Sequence, residues 1–297
     1  MAPITGLSHL VNPLATPDQL ANSSSQIDGV PGDLEDSVRF EGVKLIQAAS
    51  VLLRLPQELA AEAIVIFTRF WVGSEGGSLI VNNAKDVASA SLYLTAKPSA
   101  HPVSPRLLLT TFEYLDKARP LHSVTSRNSV QPEDCFLSEG SYHAARKVLI
   151  KTEAQILRTL GYQTHVALPF TLCINYLQAL DAFKDQHAQA LARRAFAHLN
   201  TALLSPQLLY LTYQPPALAT AAIYLAAKEV EVKLPGDEWW EVFDLDREEL
   251  GFLVVAMMSM AGFAEEEAVK WGKRKVPLTA DEVQSEVEKR RLLDAGE

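Results

Sequence analysis

Cysteine is scarce: Cys135 and Cys173 are the two in 297 residues, too few for a disulfide framework and outside any Cys-x-x-Cys pair of a zinc or redox site. Long apolar runs are missing as well. The most suggestive, from 252 to 263, falls short of the ~20 residues a bilayer needs, and the first residues lack the basic lead and apolar stretch of a secretory signal. These absences describe a soluble protein of a reducing, intracellular compartment. Basic excess is absent too, since the formal net charge is -9, which argues against a chain whose main task is gripping phosphate backbones. Strand-like alternation of apolar and polar residues is found nowhere.

Catalytic signatures are equally missing. The seven histidines stand apart with no His-Glu-x-x-His, and Gly73, Gly76 and Gly77 fall between helical stretches, away from the strand–loop–helix setting of a phosphate cradle. Asp244, Asp246, Glu248 and Glu249 sketch a calcium loop, yet Glu249 stands where the sharp turn needs glycine. A helix start with Asp246 as N-cap explains them better. Neither a cofactor nor a metal is expected, and no catalytic residue.

What is present is a repeat. Ala88–Lys97 reads Ala-Ser-Ala-Ser-Leu-Tyr-Leu-Thr-Ala-Lys, and Ala219–Lys228 reads Ala-Thr-Ala-Ala-Ile-Tyr-Leu-Ala-Ala-Lys. The two match at Ala, Tyr-Leu and Ala-Lys, which indicates an internal duplication. Both lack Gly and Pro and are small along most of their length, as suits a helix packed on several sides at the short end of the ~8–10 Å interaxial range. The chain therefore divides into two similar modules.

Around each repeated segment the helical period returns. In the first module Val38, Val43, Leu45, Ile46, Ala49, Leu52 and Leu53 mark a helix ended by Pro56. A second runs to about Trp71, the repeated one spans 80 to 96, a fourth 105 to 118, and a fifth 138 to 160, closed by Gly161. Residues 119–137 read as an irregular insertion. The second module repeats the order over 169–180, 186–204, 215–230, a short piece at 238–243, and 246–263. The expected architecture is all-α, two tandem five-helix bundles spanning 36–165 and 166–263. Residues 1–35 are expected as a mobile arm with at most a short helix around Pro17 to Ala21, and 264–297 as a charged tail, whose basic cluster at 270–275 reads either as a solvated helix end or as a nuclear address.

Two charges stand out. Lys97 ends the repeated helix, and Glu153 lies inside the fifth helix on or beside the face made by Leu149, Ile156, Leu157 and Leu160. Periodicity leaves two readings of Glu153 open: an exposed rim charge, or a functional group.

At these residues the chain resembles a cyclin, and the resemblance covers 36–263 as two cyclin boxes. The helix ending in Ala96-Lys97 is similar to the third helix of a first box, and Glu153 with Leu157, Leu160, Gly161 and Tyr162 to the fifth helix and its end. The resemblance implies that Lys97 and Glu153 are polar anchors for the αC helix of a cyclin-dependent kinase, with Leu94, Leu157 and Tyr162 as the apolar floor beneath it. Within the family the run Leu45 to Gln57 is similar to the first helix of cyclin L, of the transcription and splicing group. A PITSLRE-type kinase partner, a nuclear location and a third regulatory or splicing-factor subunit are thereby expected, with neither membrane nor direct nucleic-acid binding. Trp239 to Phe243 resembles cyclin Q instead, whose partner is a closely related kinase.

The chain also departs from the family. Lys97 is followed by Pro98-Ser99-Ala100 where cyclins usually carry an acidic pair, Leu45 to Ala49 does not match the substrate-docking motif of cell-cycle cyclins, and the Arg-Ser-rich stretch common in cyclin L is missing. Two rival classes remain in view: a nucleic-acid adaptor like transcription factor IIB, which would need a basic face, and an all-α enzyme, which would need clustered carboxylates or histidines around a cavity.

Overall fold

The computed structural model describes residues 10–119, 130–184, 186–272 and 274–294. All regular structure among them is helical: α1 (Pro17–Ala21), α2 (Ser24–Ile27), α3 (Gly32–Leu52), α4 (Gln57–Phe70), α5 (Ala84–Ala96), α6 (Pro105–Lys117), α7 (Glu139–Thr159), α8 (Phe170–Ala179), α9 (Ala188–Ala202), α10 (Leu209–Thr212), α11 (Pro215–Val230), α12 (Arg247–Met258), α13 (Met260–Trp271) and α14 (Ala280–Asp294). Short 3-10 turns stand at Pro132–Cys135, Ala182–Lys184 and Trp239–Phe243. Two compact units result. One comprises residues 16–164 with 267–297, the other 1–15 with 165–266.

Each unit is built around one copy of the repeat. In the first, α5 touches α3, α4, α6 and α7. Its Ala84, Ala88, Ala90 and Ala96 are buried, so neighbouring backbones can come close on several sides. In the second unit α11 has the same role, packed on α8, α9, α10 and α12 with Ala219, Ala221, Ala222 and Ala226 buried. The helices α3 to α7 are the five expected in the first module. The second module's five are α8, α9, α11, the 3-10 turn at Trp239–Phe243, and α12. Tandem boxes describe the architecture.

Helix ends follow local chemistry. Asp246 accepts from the Glu249 backbone N–H at 2.7 Å, capping α12 in the way that replaces a calcium loop. The helix expected from 246 to 263 is instead divided at Ser259, into α12 and α13. The repeated helix starts at Ala84, later than expected, because Ser78–Asn82 form a turn in which the Asn82 amide donates to the Ser78 carbonyl. Both thiols are buried. Burial pushes Cys173 up to about 12, so it packs as an apolar group and is no nucleophile at neutral pH.

The short helix allowed for at Pro17–Ala21 is α1, and within the described residues the remainder of the arm expected to be mobile is ordered, while the charged tail is packed. Thr16 and Gln19 form a capping box at α1, and Ser23 caps α2. The Ser23 hydroxyl and the Gln26 amide both donate to the fully buried Glu35 carboxylate, at 2.9 and 3.0 Å. The Ser, Asn and Gln that suggested a mobile arm are thus caps and partners for buried polar atoms. The charged tail is likewise seated in the first unit: Trp271, Val276, Leu278, Val283 and Val287 are buried there. Scattered among charges, these apolar residues give only a weak helical stripe. Residues 120–129 of the expected insertion, and Lys273 of the basic cluster, lie outside the described residues.

A charged clasp holds that C-terminal segment. Asp116 receives Lys85 Nζ at 2.8 Å and Arg119 Nη2 at 2.6 Å, while Arg119 Nη1 donates to the Val276 carbonyl at 2.7 Å and Lys275 to the Asp116 carbonyl at 2.9 Å. Burial raises the Asp116 pKa, but the hydrogen bond and charge of Lys85, with Arg119, outweigh it and hold the carboxyl below its ordinary 3.8. A depressed carboxyl contributes stability that is fully present above its unfolded pKa and fades as pH falls through the folded value. An Asp116→Asn chain is therefore expected to lose about 1–3 kcal/mol at neutral pH. That deficit shrinks as pH falls below 3.8. Urea unfolding at a series of pH values measures it, and a deficit independent of pH would contradict the electrostatic account.

Candidate functional site

The packing of α5 against α7 joins two residues far apart in sequence. Lys97 is the C-cap of α5, where a cation meets the negative end of the helix dipole. Its Nζ donates to Glu153 Oε1 at 3.0 Å and lies 5.5 Å from the centre of the Tyr93 ring. The hydrogen bond and charge of Glu153, with a smaller contribution from Tyr93, raise the Lys97 pKa against a small desolvation effect. The pair is lopsided: the Lys97 side chain is 56% exposed and that of Glu153 only 8%. Glu153 is therefore no rim charge. It is a buried carboxylate whose described partner stands in water, and solvent screening keeps the worth of such a pair to folding within about 1 kcal/mol.

The apolar residues expected beside them lie at graded depth. Leu94 on α5 and Leu157 on α7 are half-buried, and Tyr162 is 69% exposed. Tyr162 owes its place to the end of α7, where Gly161 and Tyr162 both take left-handed backbone angles, φ 56° and 61°. The Tyr162 N–H then donates to the Leu157 carbonyl at 2.8 Å, closing the helix and swinging the ring outward. Leu149 and Ile156 pack inward, whereas Leu160, expected with them, is half-buried.

Other members of this face were less visible in the sequence. Tyr93 is one, and its only signal is its recurrence beside a lysine in both repeats. Ile150, 43% exposed, is another: it lies three residues before Glu153 and seven before Leu157, on the same side of α7. The apolar run from Val148 to Ile150, too wide for one buried stripe, could have disclosed it. Gln155 adds a fastening from α7, donating to Asn82 at 2.7 Å just before α5. Where an acidic pair was looked for after Lys97, Ser99 turns the chain by donating to the Ala96 carbonyl at 2.8 Å. Among the described residues no group of three or more His, Cys, Asp or Glu could hold a metal ion, and no helix is long and apolar enough to cross a membrane.

No protein-family model matches the chain. Human Cyclin-L2 is 29% identical over 283 residues, which cover 95% of this chain and 49% of that protein. Human Cyclin-L1 is 29% identical over 276 residues, or 93% and 47%. The chain thus spans about half the length of the curated relatives it matches. A chain of the crystal structure of the yeast RNA Pol II CTD kinase CTDK-1 complex superposes with a TM-score of 0.65, at 14% identity over 95% of this chain and 84% of that one. Along nearly its whole sequence, and on a fold of two helical boxes, the chain is similar to the cyclin L proteins.

Proposed function

We propose that the chain is a regulatory subunit that binds and activates a cyclin-dependent kinase, of PITSLRE type, in nuclear control of transcription and pre-mRNA splicing. Its boxes are taken as 36–165 and 166–263. The observation that carries the reading is the Lys97–Glu153 pair standing at the junction of α5 and α7, with half-buried Leu94 and Leu157 and exposed Tyr162 around it. A kinase αC helix laid on this face would cover the apolar residues and bring hydrogen-bonding groups to the two charges. A cyclin that binds the αC-inward form better than the outward one shifts the kinase toward it, which lets the kinase's own Lys–Glu pair form and its activation loop order. The chain then supplies differential affinity and no catalytic group.

A double exchange separates binding from folding. Lys97→Glu with Glu153→Lys preserves an internal ion pair while inverting what a partner meets. The exchanged chain is expected to melt close to the wild type, and to neither co-purify with a PITSLRE-type kinase nor stimulate its phosphotransfer. Wild-type levels of capture by a normally folded exchanged chain would end the proposal.

A further inference from the structure

The internal repeat exposes a second site, independent of the kinase reading. Tyr224 and Lys228 occupy on α11 the positions that Tyr93 and Lys97 hold on α5, and Lys228 Nζ lies 5.6 Å from the centre of the Tyr224 ring. The aromatic half of the arrangement is thus repeated, and the carboxylate half is not. No ion pair joins Lys228 to a described carboxylate, and the adjacent Glu229 is engaged by Arg194 at 2.5 Å and His198 at 3.1 Å.

Beside Lys228 opens a cavity of about 370 Å³ walled by Tyr224, Leu234, Trp239 and Trp240, with Lys233 on its rim. A further hollow of about 510 Å³ continues past Tyr224 and Trp240 along Leu250, Val254 and Val255 of α12. Space of this order accommodates a side chain or two of a ligand. Tyr224 meets Trp240 edge-on at 5.7 Å, and Trp239 meets Trp240 at 6.1 Å. The Trp240 indole N–H is buried with no hydrogen-bond partner among the described residues. A buried donor is costly unless something accepts from it. Glu231 and Asp237 also line the first cavity, so the surface does not suit a polyanion. It suits a ligand with a carboxylate at one place and apolar groups beside it.

We propose that this groove docks an extended segment of a partner protein. A carboxylate of that segment pairs with Lys228, and an apolar side chain enters between Tyr224 and the two tryptophans. The test is selection of a random-peptide phage library on the full chain, followed by synthesis and titration of the enriched peptides. Enriched sequences are expected to carry Asp or Glu next to a large apolar residue. Their affinity should fall about tenfold when the peptide carboxylate is changed to the amide, and equally with Lys228→Glu. A peptide with Lys in place of its acid should regain binding to the Lys228→Glu chain. Failure to enrich any peptide, enrichment without an acid, or indifference to the peptide's carboxylate on the wild-type chain would each overturn the proposal.

Discussion

In a Glu153→Ala chain, kinase binding is expected to fall by about 2–5 kcal/mol while the fold persists, because a partner group that hydrogen-bonds this carboxylate in the covered interface would be left without an acceptor. Lys97→Ala is expected to behave differently. Removing the glutamate leaves a lysine that is 56% exposed and can be solvated, whereas removing the lysine strands a carboxylate that is 8% exposed. With the lysine end of the pair screened by water, losing it costs up to about 1 kcal/mol of stability. Lys97→Ala should thus weaken both folding and binding, and Glu153→Ala mainly binding. Urea unfolding beside calorimetric titration with the purified kinase distinguishes the two. Unchanged affinity in the Glu153→Ala chain would remove that residue from the interface.

The largest stability effect is expected beneath the repeated helix of the first unit. Phe67, Phe70 and Trp71 are fully buried, with Phe67 and Phe70 edge-on to the indole at 5.9 and 4.9 Å. Phe67→Ala removes one wall of this cluster and leaves a cavity, at a cost of about 3–5 kcal/mol. Gly42 on α3 permits the arrangement, since a Cβ placed there would lie 2.4 Å from the end of the Phe67 ring. Gly42→Ala, which in an open helix would gain about 1 kcal/mol, is therefore expected to destabilise the wild type by about 1–3 kcal/mol. In the Phe67→Ala background the obstruction is gone, and the same substitution should become neutral or stabilising. Equal effects in both backgrounds, read from a double-mutant cycle by urea unfolding, would show that the two residues do not oppose each other.

Helix content was legible because prolines and glycines stand where helices begin or end, as at Pro56, Pro105, Gly161 and Pro215. The order of the ends was not legible. Ser23, which caps α2 and donates to Glu35, looks like a loop residue in one dimension, and Val283 and Val287 are hidden among charges. Only the distant partners, Glu35 for the first and the clasp around Asp116 for the second, make those residues structural.

By itself the sequence determined the duplication, the helical period, the small-residue helix at the centre of each module and the placing of Lys97 and Glu153 at the ends and faces of their helices. Tertiary structure decided that Glu153 is buried and Lys97 exposed, that Tyr162 turns outward, and that Lys228 beside Tyr224 has no described carboxylate. Periodicity reports which side of one helix faces inward. Depth and pairing depend on which other helix arrives there, and that is set by contacts between residues distant along the chain.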